Sequence, residues 1–219
     1  MTGENRLRIA KEGFPYILGL LGVGGLFYLF HLGLAAGVCL ALAAFVAFFF
    51  RDPVRLVPQQ ANAILSPADG KVVAIRKIEE SDLPHKEAFC ISIFLSLFDV
   101  HINRSPYAGR VVRTHYHAGR FLPAFQEKAS LLNEQNSIWI EHEGFQIKVT
   151  QIAGLIARRI ACWVKEGDTL YPGDKLGLIK FGSRVDIFLP PNCQILVEMG
   201  DKIKGGETVI AEVLPWPER

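Results

Sequence analysis

Residues 164–176 (VKEGDTLYPGDKL) recur 33 residues later as residues 197–209 (VEMGDKIKGGETV), and this recurrence is the strongest guide to the architecture. A second pair, PADGKVV at 67–73 and PYAGRVV at 106–112, is similar in the same way. Repeats at such spacing are typical of duplicated supersecondary units. Their Gly-Asp pairs favour turns, and the apolar positions between them favour short strands packed face to face. The repeats therefore predict a duplicated, mainly β domain.

The chain from residue 51 onward has the composition of short strands joined by turns. β-branched runs such as Lys71–Ile75, Phe89–Leu95 and Gln146–Ile152 are separated by Gly, Pro, Asp and Asn, which is typical of strands and turns. Helical periodicity is weak, apart from a short helix predicted around Pro123–Asn133. The repeats resemble the barrel-sandwich arrangement of biotinyl and lipoyl carrier domains. We therefore expect a mainly β, barrel-sandwich-like fold with a few short helices.

A long apolar segment precedes this domain. Residues 13–50 contain no Asp, Glu, Lys or Arg. A single helix of that length would be about 57 Å long, nearly twice the hydrocarbon thickness of about 30 Å. Two helices fit better, near Phe14–Phe30 and Leu34–Phe50, with His31 to Gly33 as the turn. The sequence predicts an N-terminal hydrophobic helical hairpin over residues 1–50, transmembrane or re-entrant, followed by a domain over residues 51–219.

Basic residues flank the apolar segment on both sides. Arg6, Arg8 and Lys11 precede it, and Arg51 and Arg55 follow it. By the positive-inside rule, both ends lie in the cytoplasm. A cleaved signal peptide is the main alternative, but its apolar region spans only about 7–15 residues. We expect a retained anchor in the inner cell membrane, with the second domain on the cytoplasmic face.

The overall composition argues against two other classes of protein. The 24 basic and 22 acidic residues give a formal charge of +2 without a long cationic block, so nucleic-acid binding is not expected. The four cysteines, Cys39, Cys90, Cys162 and Cys193, form no C-x-x-C pair. Neither a metal site nor a disulfide framework is therefore predicted, and the sequence leaves a homo-oligomer open.

The segment between the two long repeats is the candidate for chemistry. In a carrier domain this hairpin presents a modified lysine, whereas here residues 178–186 (LIKFGSRVD) present Gly182 and Ser183. A Gly-Ser pair is usually only a turn. In a strained turn, the serine hydroxyl can attack the preceding carbonyl when a neighbouring base takes its proton, and glycine leaves that approach open. The resulting ester can undergo β-elimination and hydrolysis, which leave a pyruvoyl group on residue 183.

Five motifs occur in one order along the chain: FRDP at 50–53, SPADG at 66–70, FDVHINRSP at 98–106, NE at 133–134 and FGSRVD at 181–186. Together they resemble the short phosphatidylserine decarboxylase family from residue 51 to residue 213. The resemblance implies self-cleavage between Gly182 and Ser183, a covalent pyruvoyl cofactor derived from Ser183, and two associated fragments, 1–182 and 183–219. It also implies decarboxylation of phosphatidylserine to phosphatidylethanolamine through a Schiff base with that group, with membrane lipid as a partner.

The family's catalytic roles carry over to individual positions of this chain. By the resemblance, Ser183 is the nucleophile and pyruvoyl precursor, and His101 matches the first histidine of the D-x-H segment. Asp69 matches the motif aspartate that assists it. A histidine acting as a base commonly needs an orienting carboxylate, so we expect Asp69 beside His101.

One position departs from the family's pattern. Longer members carry a second histidine where this chain has Arg104. Either His101 serves both self-cleavage and decarboxylation, or His117 or His142 replaces the missing histidine. A guanidinium group suits phosphate oxygens, so we predict that Arg104 binds the lipid head group.

The main alternative is a membrane-tethered carrier or adaptor protein of the biotinyl or lipoyl type. A carrier needs a lysine at the hairpin apex, whereas Lys180 lies off the tip and has no methionine beside it. An adaptor needs helices with heptad repeats, which the sequence lacks. A soluble pyruvoyl amino-acid decarboxylase leaves the apolar N-terminal segment unexplained.

Overall fold

The structure, a computed structural model, describes residues 8–60, 62–79, 82–84, 87–119, 133–154, 159–180 and 183–215. The chain divides between Val54 and Arg55 into two compact units. Residues 123–132 of the predicted short helix lie outside the described residues.

The first unit is a helical hairpin with one short pair of strands. Its elements are β1 (Arg8–Ile9), a 3-10 turn (Lys11–Gly13), α1 (Phe14–Leu29), α2 (Gly33–Phe49) and β2 (Arg51–Asp52). The strands β1 and β2 pair antiparallel, and His31 turns the chain between the helices with a φ of 58°. A Cβ atom at Gly24 would lie 3.1 Å from Cys39 Cβ, so this glycine lets the helices approach closely. The predicted hydrophobic hairpin is present, and its helices begin and end within one residue of the predicted bounds.

One helical segment of the described part, Lys11–Leu29, is long and apolar enough to cross a membrane by length and composition. It has 19 residues and is largely exposed. The helix Gly33–Phe49 is equally apolar in character but shorter.

The second unit has strands as its only regular elements in the described residues. In chain order these are β3 (Ala63–Leu65), β4 (Gly70–Glu79), β5 (Glu87–Leu95), β6 (Ile102–Arg104), β7 (Gly109–His117), β8 (Gln135–His142), β9 (Phe145–Ala153), β10 (Ile160–Cys162), β11 (Thr169–Leu170), β12 (Lys175–Ile179), β13 (Ser183–Leu189), β14 (Cys193–Ile195), β15 (Lys202–Ile203) and β16 (Val209–Val213). The mainly β prediction is confirmed.

These strands form three antiparallel sheets. An eight-stranded sheet has the order β11-β7-β8-β9-β13-β5-β4-β15, and two three-stranded sheets have the orders β10-β12-β6 and β14-β16-β3. The apolar core is made by residues from all three sheets, including Val185 and Ile187 on β13, Leu176 on β12 and Ile210 on β16. Strand β13 lies near the middle of the large sheet, where both of its edges are hydrogen-bonded.

The unit is internally duplicated, as the repeats predicted. We call residues 62–79 with 193–213 the first half and residues 101–117 with 160–179 the second half. In the first half Val72 N donates to Asp201 O (2.9 Å) and Gly200 N donates to Val72 O (2.8 Å). In the second half Val111 takes part in the same two hydrogen bonds, with Asp168 O and Gly167 N, both at 2.8 Å.

The turns of the duplicated segments are alike because their glycines adopt the same conformation. Gly167 and Gly200 have φ angles of 93° and 106°, a region that side chains with a Cβ rarely occupy. The aspartate after each glycine accepts a hydrogen bond from a backbone N–H three residues earlier, at 3.0 Å for Asp168 and 2.9 Å for Asp201. The Gly-Asp pairs of the sequence are therefore turn-forming residues in both halves.

Candidate active site

Ser183 is the first residue of the central strand β13. It pairs with Leu95 of β5 on one side and with Ala153 of β9 on the other. Its side chain is fully buried, and its Oγ has no hydrogen-bond partner among the described residues. A buried hydroxyl without a partner is rare in folded proteins, so this one is available for chemistry. Gly182, the residue before it, lies outside the described residues.

Two connections of the chain place His101 near the end of β13 that begins with Ser183. Its carbonyl oxygen accepts a hydrogen bond from Ile179 N (3.3 Å). Ile179 is the last residue of β12 and lies four residues before Ser183 in the sequence. On the other side, the strand that holds Leu95, the partner of Ser183, continues directly into the turn that leads to His101. These connections place His101 near the strand end that holds Ser183, and a catalytic pairing of the two residues stays a prediction.

The imidazole of His101 is held by the backbone of its own turn. Its Nδ1 lies 3.0 Å from the carbonyl oxygen of Asp99. The Asp99 carboxylate closes the turn by accepting hydrogen bonds from Ser96 N (2.8 Å) and Ser96 Oγ (2.6 Å). Because a carbonyl can only accept, Nδ1 carries the proton and the neutral ring has its lone pair on Nε2. The ring is therefore oriented to act as a base through Nε2.

Asp69 is bound by a residue that the sequence analysis counted only as a flanking charge. Arg55 Nη2 donates to both oxygens of the Asp69 carboxylate, at 2.8 and 2.9 Å, and Gly205 N donates to one of them at 2.8 Å. Burial raises the pKa of Asp69 above its ordinary value, while the charge and hydrogen bonds of Arg55 and the Gly205 N–H oppose the rise. His101 Nδ1 contacts the carbonyl oxygen of Asp99 in its own turn, at 3.0 Å. Assistance by Asp69 stays a prediction.

Arg104 occupies a buried position in β6. Its Nη1 donates to Gly173 O at 2.9 Å, and a Cβ at Gly206 would lie 2.9 Å from Arg104 Cδ. The guanidinium therefore stabilises the turn of one repeat, and the side-chain stem packs against the glycine of the other. Head-group binding by Arg104 stays a prediction, and its present contacts are those of a structural residue.

The two substitutes proposed for the missing histidine lie at other places in the large sheet. His117 pairs with Gln135. It lies on β7, three strands from β13, or about 14 Å at the usual strand spacing. His142 is at the far end of β8, about 23 Å along the strand from Gln135. It lines a separate cavity of about 540 Å³ with Tyr107 and Tyr171. Replacement of the missing histidine by His117 or His142 stays a prediction, and so does a dual role for His101.

The Asn-Glu motif lies directly beside the strand that holds Ala153, the partner of Ser183. Asn133 Nδ2 donates to Ala153 O (2.7 Å), and Ala153 N donates to Glu134 O (3.0 Å). The Glu134 carboxylate accepts a hydrogen bond from Ile160 N at 3.3 Å. These contacts give the motif a supporting role, because they hold the end of β9 next to Ser183.

The sequence analysis missed a chain of three buried amides on the core face of the site. Asn136 Nδ2 donates to Gln151 Oε1 at 2.9 Å, and Gln151 Nε2 donates to Asn103 Oδ1 at 2.8 Å. All three residues are buried. We call them the amide chain. Asn103 lies inside the recognised D-x-H segment. The other two amides come from strands 33 and 48 residues farther along the chain, so no local sequence pattern indicates that the three meet.

Two of the three residues that follow Ser183 in its motif, Arg184 and Asp186, face the opposite side of the sheet. Side chains alternate along a strand, so Arg184 and Asp186 lie on the face away from the core. Arg184 Nε donates to Asp186 Oδ1 at 2.6 Å, and Arg184 Nη2 donates to Ser92 Oγ at 2.7 Å. The motif therefore combines the predicted nucleophile on one face with a buried ion pair that anchors the strand on the other.

Comparison with known proteins gives a consistent result. A family model described as phosphatidylserine decarboxylase matches residues 42–211. A phosphatidylserine decarboxylase proenzyme of Nitrosomonas europaea is 46% identical over 205 residues, which cover 93% of this chain and 94% of that protein. The proenzyme of Carboxydothermus hydrogenoformans is 47% identical over 93% of this chain and 95% of its own. That of Desulfotalea psychrophila is 41% identical over 96% and 99%.

Proposed function

The chain belongs to the phosphatidylserine decarboxylase family, and we propose that it is a proenzyme that cuts itself before Ser183 and then converts phosphatidylserine into phosphatidylethanolamine. The observation that carries this proposal is the burial of Ser183 at the start of the central strand, with an Oγ that has no partner in the described residues. The carrier or adaptor alternative has no support among the relatives.

His101 and Ser183 perform the self-cleavage in this proposal. Ser183 Oγ forms a bond to the carbonyl carbon of the preceding residue while His101 Nε2 takes the hydroxyl proton. The proton passes to the Ser183 nitrogen as the peptide bond breaks, and an ester remains. Removal of the Ser183 Cα proton then expels the carboxylate of the first fragment, and hydrolysis of the dehydroalanine releases ammonia.

The pyruvoyl group that forms at position 183 suits the place it would occupy. Ser183 is fully buried, and its neighbours Val185 and Ile187 on the same face belong to the apolar core, so the group would be shielded from bulk solvent. When present, the group supplies a carbonyl that binds the substrate amine and accepts electrons as carbon dioxide leaves. The chain's own contribution is to keep His101 beside that carbonyl as a proton donor and acceptor.

The two fragments stay together because the cut falls between strands that remain paired. Strand β13 begins at the new terminus and is hydrogen-bonded to β5 and β9 along its length. Farther along the small fragment, β15 pairs with β4, and β16 pairs with β3. Four strands of fragment 183–219 are thus integrated into sheets, and separation would require unfolding of the unit.

We also propose that the first unit anchors the enzyme in the membrane that holds its substrate, with the second unit on the cytoplasmic face. The apolar segment Lys11–Leu29 and the helix Gly33–Phe49 support this proposal by length and composition. The basic residues at both ends support a cytoplasmic location for them.

The duplicated hydrogen bonds of the two halves support the proposed kinship with biotinyl and lipoyl domains.

Mass spectrometry and denaturing electrophoresis of the purified protein test the function. We expect two fragments, with the smaller one starting at residue 183 and lacking a free amine, and release of carbon dioxide from phosphatidylserine vesicles. Ser183→Ala should remain a single chain without activity. Ser137→Ala is the matched control, because this hydroxyl is bonded to Thr150 Oγ1 (2.9 Å) elsewhere in the sheet, and it should cleave normally. A continuous wild-type chain with an intact serine would refute the proposal.

A further inference from the structure

A cavity of about 250 Å³ lies on the outer face of the large sheet, which is the face opposite the Ser183 side chain. The strand register places Lys148 of β9, Phe188 of β13, Cys90 of β5 and Arg76 of β4 side by side along one wall. Pockets for drug-sized ligands have volumes of about 300–1,000 Å³, so this cavity suits a smaller group. We call it the sheet-face cavity.

The side chains that line the sheet-face cavity carry an excess of positive charge. Arg76, Lys148 and Arg184 line it together with a single carboxylate, that of Asp186, which leaves a formal charge of +2. Lys148, Arg184 and Asp186 are buried. A partly enclosed cavity with an excess of one sign of charge attracts ligands of the opposite sign. The lining therefore indicates an anionic ligand.

Arg184 keeps two hydrogen-bond donors for such a ligand. Its Nε donates to Asp186 Oδ1 (2.6 Å), and its Nη2 donates to Asp186 Oδ2 (3.0 Å) and to Ser92 Oγ (2.7 Å). A guanidinium group has five N–H donors, so two remain on Nη1, and they have no partner among the described residues. The side chain is only 6% exposed. Because Arg184 lines the cavity, its remaining accessible surface faces the cavity.

Lys148 is held in the wall of the cavity by two aromatic rings. Its Nζ lies 4.4 Å from the centre of the Phe188 ring and 5.5 Å from that of the Trp139 ring. Such contacts attract an ammonium group to the ring face. A charge that is already in position loses less freedom when a ligand binds, so Lys148 is preorganised for an anion.

Arg76 adds its charge at the same place. Burial raises the pKa of the Asp186 carboxyl, and Arg184, Ser92 and the charge of Arg76 oppose this rise. The Arg76 guanidinium therefore acts on the centre of the cavity. Arg76 itself is exposed, so it lies on the solvent side of the cavity, where a ligand would enter.

We infer that the sheet-face cavity binds a phosphate group, either free phosphate or the terminal phosphate of a lipid head group, through Arg184 Nη1, Lys148 and Arg76. A guanidinium group suits phosphate oxygens. A terminal phosphate has three strong acceptor oxygens, which are enough for the three cations. The site is on the face of β13 away from Ser183, so it is separate from the proposed reaction and goes beyond it.

The test is isothermal titration calorimetry of the full-length Ser183→Ala precursor in a phosphate-free maltoside detergent at constant ionic strength. The probes are inorganic phosphate and glycerol 3-phosphate, and we expect saturable binding at one site per chain. Arg76→Gln and Arg184→Lys should each weaken binding about tenfold or more, the usual effect of losing a hydrogen bond between charged groups. Lys77→Gln is the matched control, because Lys77 is the next residue on β4 and pairs with Glu87 (2.8 Å) at the surface. It should bind with unchanged affinity.

The pattern of binding identifies the source of the phosphate. Tighter binding of glycerol 3-phosphate would support a lipid head group, and equal or tighter binding of inorganic phosphate would support free phosphate. Absence of saturable binding by both probes would overturn the inference, as would equal weakening by Arg76→Gln and Lys77→Gln.

Thermal unfolding of each precursor separates loss of binding from loss of folding. If Arg184→Lys disturbs the buried ion pair and unfolds without cooperativity, Arg76→Gln decides the question, because Arg76 is exposed. The precursor lacks the Ser183 hydroxyl, so its binding is measured apart from self-cleavage. Failure of this inference would leave the proposed function standing.

Discussion

The two halves of the second unit share their backbone hydrogen bonds and differ in the side chains that carry chemistry. Ile179 N donates to His101 O in the second half, and Val213 N donates to Asn62 O in the first. Both halves also have a register shift at the same place, between Val72 and Ala74 on β4 and between Val111 and Arg113 on β7. The two halves therefore share both their backbone hydrogen bonds and the position of this register shift.

The predicted site residues lie at positions where the halves differ. His101 corresponds to Asn62 of the first half, and Asp69 corresponds to Ala108 of the second half. The backbone hydrogen bonds shared by the two halves do not depend on which side chain stands at these positions. In the proposed site, the second half contributes the strand with His101 and the first half contributes the turn with Asp69.

The largest difference between the two halves should appear when the imidazole of His101 is removed. We expect His101→Ala to slow self-cleavage by about 10²–10⁴-fold, the usual contribution of a general base. Asn62→Ala changes the corresponding position of the first half, where the side chain is exposed, and should cleave at the wild-type rate. A time course of fragment formation measures both. Equal cleavage by the two variants would contradict the assignment of the base.

A second prediction concerns the ion pair at the aspartate turn. Asp69→Ala leaves the Arg55 guanidinium buried without its main partner, since Glu207 lies 3.8 Å away and the Arg55 side chain is only 6% exposed. We expect the free energy of unfolding to fall by about 3 kcal/mol. Urea denaturation of the Ser183→Ala precursor, with or without the additional change, gives this value.

The matched control for that prediction is a double-mutant cycle. Arg55→Met alone should also destabilise the precursor, and Arg55→Met with Asp69→Ala should cost less than the sum of the two changes, because neither charge is then left alone. Additive effects would show that the two side chains do not act as a pair.

A third prediction sharpens the comparison at corresponding glycines. A Cβ at Gly70 would lie 2.2 Å from Phe94 O, and a Cβ at Gly109 would lie 2.5 Å from Glu141 O. Gly70 also has a φ of 147°. We expect Gly70→Ala to lower the free energy of unfolding by about 3 kcal/mol and Gly109→Ala by about 2 kcal/mol. Urea midpoints of the uncleaved precursor should follow that order, and a tolerated Gly70→Ala would contradict the close strand contact.

The prediction with the smallest expected effect concerns two cysteines and can be measured on the unsubstituted protein. Cys193 of β14 and Cys162 of β10 lie on corresponding strands, but Cys193 is buried and Cys162 is exposed. Burial raises the pKa of the Cys193 thiol from 9.0 to about 12, which reduces its thiolate at pH 8 by about 10³-fold. Iodoacetamide should therefore label Cys162 long before Cys193, as peptide mass spectrometry would record. Equal labelling would mean that the two strands are equally accessible.

Much of the fold could be predicted because its signals are local. A glycine that needs a positive φ and an aspartate that caps its own turn lie side by side, so the repeats were visible as repeats. The apolar hairpin was equally visible, since its length and lack of charge depend on nothing else in the chain. Ser183 could be identified because the motif around it is specific.

The sequence by itself determined the duplicated strands, the helical hairpin, the family and the residue at which the chain is proposed to cut itself. Only the tertiary structure decided that Arg55 binds Asp69, that Arg104 is buried against Gly173, and that Asn136, Gln151 and Asn103 form a hydrogen-bonded chain. The physical reason is that a hydrogen bond depends on distance in space, and these partners lie far apart along the chain. Local patterns report turns and strands, whereas a site in a sheet protein is made by strands that meet only after folding.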